Sequence, residues 1–207
     1  LPAKIVGGDF YDFIWIDFNL LGLVMADVSG KGIPAALLMA KAMTLIRAHL
    51  DALQNPAEAL RKANEELSKD NDQAMFVTTF VAMYDCHTGT LTYSNAGHNQ
   101  PYLLRENKAV EINEALAVPL GADEETEFEN AQLQLEPGDV VFLFTDGVSE
   151  AMDPDKELYG EERLTQCLVA NLDKTMPGLV KACVDHVQGF ARGAEQSDDI
   201  TVLAMRV

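Results

Sequence analysis

The chain has 207 residues, 48% of them hydrophobic and 23% charged, a balance that suits a folded globular protein with one sizeable core. Its 33 acids against 15 bases leave a formal charge of −18. That excess excludes the basic stripe that nucleic-acid binding requires and opposes contact with anionic membrane surfaces.

Residues 11–17 and 20–27 are apolar and β-prone, and Phe18-Asn19 between them predicts a hairpin. Ser29-Gly30-Lys31-Gly32 breaks the pattern. Pro34 then suits the first turn of a helix, and residues 35–50 are rich in Ala, Leu and Met. Asn55 can cap a second helix running to Ser68, with Glu58 completing a capping-box-like pattern. Residues 76–85 form a strand with two apolar faces, so burial on both sides is expected. Thr88-Gly89 turns the chain into a strand at 90–94, and residues 102–105 and 109–112 predict a second hairpin. Asp123-Glu124-Glu125 reads as an exposed loop, residues 126–134 as a strand, and Pro137-Gly138-Asp139 as a turn. A short apolar strand follows at 140–145. Residues 161–171 and 177–191 predict helices, the second capped near Thr175 or Met176, and 200–207 a closing strand. Helix pairs between runs of antiparallel strands predict an α+β fold with helices covering sheet faces.

No apolar run reaches the roughly 18–20 residues of a membrane span. Leu1-Pro2-Ala3-Lys4 is not a signal peptide and lacks Met, which reads as a fragment of a longer polypeptide. Cys86, Cys167 and Cys183 are widely spaced with no Cys-x-x-Cys. That spacing disfavours a disulfide framework or zinc cluster and favours a reducing cytoplasm.

Four acidic positions share one context. Asp9 follows Gly7-Gly8 and precedes a strand, and Asp27 ends a strand at a Gly-rich loop. Asp146 ends the 140–145 strand and precedes Gly147, while Asp198-Asp199 stand just before the last strand. A strand end fixes a carboxylate, and a neighbouring glycine lets backbone or ligand approach closely. Several such ends together would make an all-oxygen site suited to Mg²⁺ or Mn²⁺. Singly, each is more often a turn, and periodicity does not show that the ends meet.

Five blocks occur in order: Gly7-Gly8-Asp9-Phe10-Tyr11-Asp12, Ala26-Asp27-Val28-Ser29-Gly30-Lys31-Gly32, Ser94-Asn95-Ala96-Gly97-His98-Asn99-Gln100-Pro101, Phe144-Thr145-Asp146-Gly147-Val148-Ser149-Glu150-Ala151 and Ser197-Asp198-Asp199-Ile200-Thr201-Val202. Together they closely resemble the SpoIIE/RsbU branch of the metal-dependent Ser/Thr phosphatases, the PPM or protein phosphatase 2C superfamily. The resemblance implies one PPM-type phosphatase domain over residues 1–207, truncated at its N-terminus and linked to an upstream sensor or receiver domain. It implies a four-layer α-β-β-α sandwich of two antiparallel sheets flanked by helix pairs. It implies a metal-dependent protein phosphatase acting on a phosphorylated STAS-domain anti-anti-sigma factor, and it leaves room for a homodimer. By the same resemblance Asp9, Asp27, Asp146 and Asp198 supply the carboxylates for two Mn²⁺ or Mg²⁺ ions, with Asp27 bridging and the Val28 carbonyl as a further ligand. Asp12, Asp199 and Gly147 are supporting candidates, Asp199 by orienting its loop, and Lys4 is the candidate phosphate-binding residue. Two cations ~3.5–4 Å apart would hold a bridging water, lower its pKa and aim it in line at phosphorus.

Two rival readings stay open: a catalytically weak module that sequesters a signalling partner, and a hydrolase of nucleotides or small phosphoesters. Lys31 does not belong to a Walker loop, because Met25 stands where the first glycine belongs and Gly32 where Ser or Thr belongs. Gly7-Gly8-Asp9 resembles the start of a diguanylate cyclase signature, but Phe10-Tyr11-Asp12 follows. His98 reads as a structural turn histidine rather than a general acid, Glu150 as a solvated acid and Trp15 as core. Met39, Met43, Met75, Met83 and Met205 read as packing filler. The helix after Gly32 is joined to Asp27 through a Gly-rich hinge, so its rotation would move a ligand and give an upstream domain control.

Overall fold

The computed structural model describes residues 1–3, 7–69, 71 and 74–207; Lys4, the candidate phosphate-binding residue, lies outside them. The elements run β1 (Phe10–Trp15), β2 (Leu20–Val28), α1 (Ile33–Leu53), α2 (Pro56–Leu67), β3 (Val77–Asp85) and β4 (Thr90–Ala96). They continue with β5 (Tyr102–Arg105), β6 (Lys108–Glu111), β7 (Leu116–Ala117), β8 (Ala131–Gln134) and β9 (Val140–Phe144). The last are α3 (Asp146–Ser149), α4 (Gly160–Ala170), α5 (Met176–Ala191) and β10 (Val202–Arg206). This is the expected α+β order, and it divides into two compact units. One holds residues 7–98 and Asn113–Glu136; the other holds the first residues, Asn99–Ile112 and Pro137–Val207.

In the first unit the strands order β1-β2-β3-β4-β7, with β8 also on β4. All pairs are antiparallel except the short β4–β7 contact. Alternation decides the faces. Val24, Ala26 and Val28 of β2 and Val77, Val81 and Met83 of β3 pack with Ala35, Ala42, Ile46 and Leu50 of α1 and Leu60 and Leu67 of α2. Met25, Phe80 and Ala82, on the opposite face, are also fully buried, as the two apolar faces predicted. Asn55 caps α2 by accepting from the Glu58 N–H.

Three expectations need correction here. Trp15 is not core: Phe10 and Ile14 turn inward from β1, whereas Tyr11, Phe13 and Trp15 take the other face of an edge strand, and Trp15 is 59% exposed. The 126–134 strand shrinks to β8, because the groups before it are used elsewhere. Thr126 donates to the Asp123 carbonyl, and the Asn130 side chain binds Asn55 and the Ala57 N–H. Finally, α1 is long and apolar enough for a membrane span by length and mean hydropathy, 21 residues at 1.3. Its Lys41 and Arg47 interrupt the run, and Ala35, Ala42, Ile46 and Leu50 pack one face against the sheet, while Ile33, Leu37 and Leu53 on the rest of the helix are exposed.

The second unit is an antiparallel sheet of order β10-β9-β5-β6. Phe142 and Phe144 of β9 and Tyr102 of β5 pack with Leu164 and Leu168 of α4 and Leu179, Cys183 and Val187 of α5. Tyr102 stacks on Phe144 at 5.8 Å between ring centres. The α4 and α5 helices lie where the periodicity put them, and Thr175 caps α5 by accepting from the Gly178 N–H. The short helix α3 and the two-residue β7 escaped the sequence reading, being too short to show a period.

Candidate metal centre

In the first unit the β1–β2 ladder pairs Phe10 with Ala26. Asp9 directly precedes that ladder, Asp27 follows Ala26 on β2, and β3 pairs Asp27 with Thr78 on its other side. Gly8 lies over the end of β2: a Cβ there would stand 3.1 Å from the Val28 carbonyl oxygen and 3.7 Å from Asp27 Oδ1. Glycine therefore permits the segment that leads into Asp9 to approach Asp27 and the Val28 carbonyl closely.

In the second unit the same job falls to Gly147. A Cβ on it would stand 2.8 Å from the Asp199 carbonyl carbon and 3.3 Å from that of Asp198, so α3 rests directly on the 198–199 backbone. Thr145 joins the two strand ends: its N–H donates to the Thr201 carbonyl, and its hydroxyl accepts from the Thr201 N–H at 3.1 Å. Asp146 thus begins α3 beside the loop bearing Asp198. The loop is held in turn. Asp198 Oδ1 accepts from the Asp199 N–H at 2.9 Å, the Gln196 amide donates to the Asp198 carbonyl at 2.7 Å, and Asp199 Oδ1 accepts from the Ala3 N–H at 2.6 Å. Asp199 is buried, while Asp9, Asp27, Asp146 and Asp198 are half-buried. Among the described residues no three His, Cys, Asp or Glu side chains stand together as a ready-made metal cluster.

Asp12 has a different task. Arg47 of α1 donates to its Oδ2 at 2.5 Å and the Phe13 N–H donates to its Oδ1, which ties β1 to α1. His98 is the buried turn residue the sequence suggested. Its N–H donates to Asn95, Asn95 donates back to its carbonyl, and its Nδ1 lies 3.0 Å from the Thr78 hydroxyl. That hydroxyl is 3.4 Å from the Asp27 carbonyl, which makes Thr78 a link between the turn and a candidate ligand. Thr78 carried no sequence signal, since threonine is ordinary in strands, and Thr145 stood inside a quoted block without a role of its own. Lys31 and Glu150 are exposed, on the loop before α1 and after α3. The thiols offer no nucleophile in the second unit's core: burial pushes Cys167 up, and Cys183 up to about 12.

The sequence pattern of the family described as Stage II sporulation protein E (SpoIIE) matches residues 19–207. The chain belongs to the SpoIIE family. Among its relatives, the phosphoserine phosphatase RsbU of Bacillus subtilis (strain 168) is 30% identical, over 100% of this chain and 61% of RsbU. Protein IcfG of Synechocystis sp. is 28% identical, over 99% of this chain and 36% of IcfG. The chain therefore spans between about a third and three-fifths of the length of these relatives. The solved SiaA-PP2C domain of Pseudomonas aeruginosa has the same fold, with a TM-score of 0.89 at 23% identity, covering 100% of this chain and 83% of that one. In this SpoIIE-family chain the candidate donors are carboxylate and carbonyl oxygens, without sulfur or imidazole. That set fits hard divalent ions such as Mg²⁺ or Mn²⁺.

Proposed function

We propose that this domain is a Mg²⁺- or Mn²⁺-dependent phosphatase that hydrolyses phosphoserine or phosphothreonine on a STAS-domain protein. The observation that carries the reading is the pair of glycine-cradled strand ends, Gly8 against Asp27-Val28 and Gly147 against Asp198-Asp199. Each sets out the oxygen donors that the SpoIIE-family blocks call for. In this proposal Asp9, Asp27, Asp146, Asp198 and the Val28 carbonyl hold two cations. When bound, such ions supply a water of lowered pKa and positive charge for the phosphoryl oxygens. The chain's own residues do the positioning. Gly8 and Gly147 admit the backbone that aims the acids, Thr145 and Thr78 fix the strand ends, and Asp199 anchors its loop. No side chain becomes covalently phosphorylated, which fits the protonated state of the buried thiols. Control through an upstream sensor or receiver domain belongs to the same proposal, supported by the short glycine-rich link from Asp27 to α1. A cytoplasmic setting does too, supported by the free thiols of Cys86, Cys167 and Cys183.

The test is dephosphorylation of a phosphorylated STAS protein with Mn²⁺ and with excess chelator. Turnover should require the metal and fall at least 100-fold in Asp27→Asn and Asp146→Asn. Chelator-resistant turnover, or full activity in both variants, overturns the mechanism. Tight binding of the phosphoprotein without turnover would install the sequestering module in its place.

A further inference from the structure

A groove in the second unit lies beside the acid-bearing loops rather than among the acids. Met152, Val187, Ala191, Ala194 and Ile200 give it an apolar lining, and it encloses about 220 Å³. Gly147 and Ser197 contribute to its wall. Each is one residue from a proposed ligand, Asp146 and Asp198 respectively, so an occupant of the groove touches both loops that carry them. The Gln196 amide fixes this wall by donating to the Leu1 and Asp198 carbonyls.

We propose that the groove takes one apolar side chain of the phosphoprotein segment, next to a Lys or Arg and within a few residues of the phosphorylated serine. This deepens the phosphatase reading and rests on it. Size selects the occupant. Pockets for nucleotides and other small molecules run to ~300–1,000 Å³, whereas about 220 Å³ suits a single leucine, methionine or phenylalanine. Chemistry agrees: Met152 is 41% exposed, and an adaptable thioether at the mouth of an apolar groove gains by being covered. Charge selects the neighbour. Glu195 is exposed at the rim of a chain carrying −18, which favours a basic residue beside the apolar one. Reach sets the spacing, because an extended chain advances only about 3.3–3.6 Å per residue.

The test uses phosphoserine peptides in which one leucine is moved from four residues before to four residues after the phosphoserine in an alanine background. Each is made with and without an adjacent arginine. One leucine register should raise kcat/KM about tenfold or more over the all-alanine peptide, and arginine should raise it further. Ala194→Trp, which fills the groove, and Met152→Asp, at its exposed mouth, should abolish the leucine gain. Glu195→Lys should abolish the arginine gain alone. All three should keep wild-type kcat and KM on p-nitrophenyl phosphate, which has no flanking residues and reports an intact fold and centre. Equal rates for every register, or a leucine gain that survives both groove variants, overturns the groove's role while leaving the phosphatase standing. Absence of Mn²⁺-dependent hydrolysis of p-nitrophenyl phosphate by the wild-type chain overturns the phosphatase reading, and the groove's role with it.

Discussion

Adding one methyl group at Gly147 tests the geometry that gathers Asp146 and Asp198. The Cβ of Gly147→Ala would overlap the Asp199 carbonyl oxygen and lie 2.8 Å from the Asp199 carbonyl carbon and 3.3 Å from that of Asp198, all of them backbone atoms. A flexible side chain could swing aside; a peptide group whose carbonyl accepts from the Thr145 hydroxyl, in a residue whose carboxylate is held by the Ala3 N–H, has far less room to move. Overpacking of this kind costs about 1–3 kcal/mol. Alanine in place of a helical glycine returns up to about 1 kcal/mol. Overlap with a carbonyl oxygen puts the first cost at its upper end, so the net loss is about 2 kcal/mol, or roughly 4–8 °C in Tm for a chain of this length. Gly189→Ala in α5 is the control, since its Cβ meets nothing within 4 Å and the change should stabilise by ~0.5–1 kcal/mol. Urea denaturation gives both values, and Mn²⁺-dependent phosphoester hydrolysis reports on the acids. Gly147→Ala should lose at least tenfold in rate, because the loop must shift away from α3, whereas Gly189→Ala should match the wild type. A Gly147→Ala protein with unchanged stability and rate would refute the claim that this contact positions Asp146 and Asp198.

Two further expectations concern the second unit. Arg105 forks onto Asp139, with Nε 2.9 Å from Oδ1 and Nη2 2.5 Å from Oδ2, and the carboxylate is 4% exposed. Arg105→Gln should therefore cost about 3 kcal/mol by urea denaturation, Arg105→Lys less, and a loss under 0.5 kcal/mol for Gln would count against a buried pair. Burial pushes Cys183 up to about 12 and raises Tyr102 and Tyr159 as well. These groups stay protonated in the folded chain after the unfolded chain has begun to ionise, so the unfolded state binds fewer protons and stability falls as pH rises. The loss should begin near pH 9 and continue toward 12, less steeply in Cys183→Ala; a flat urea midpoint from pH 8 to 11 would contradict it.

The long elements were legible because periodicity and capping agree in them. The two buried faces of β3 follow from apolar residues on both of its alternating faces, and Asn55 caps α2 in the manner its spacing with Glu58 announces. Where the reading missed, local preference lost to position in the sheet. Trp15 is a residue one expects inside, yet β1 is an edge strand and alternation puts positions 11, 13 and 15 on its open face. Residues 126–130 alternate like a strand, but Thr126 and Asn130 are committed to a turn and to the start of α2. Hydropathy sees side chains; it does not see which backbone groups already have partners.

The candidate centre was legible in a narrower way. Sequence could say that Asp9, Asp27, Asp146 and Asp198 stand at strand ends beside glycine. Why those glycines matter is a distance, not a pattern: Gly8 clears the Val28 carbonyl and Gly147 clears the Asp199 carbonyl. Asp12 shows the converse. It sits in the same block as Asp9, three residues along β1, and a motif treats the two acids alike. The structure separates them, because one stands just before β1, next to the Gly8 that packs on Asp27-Val28, while the other is held by Arg47 and the Phe13 N–H. A carboxylate with one oxygen on a guanidinium and the other on a backbone N–H serves as an anchor. Asp12 therefore ties α1 to β1, the strand that follows Asp9, through Arg47, while the glycine-rich link joins α1 to Asp27 along the chain.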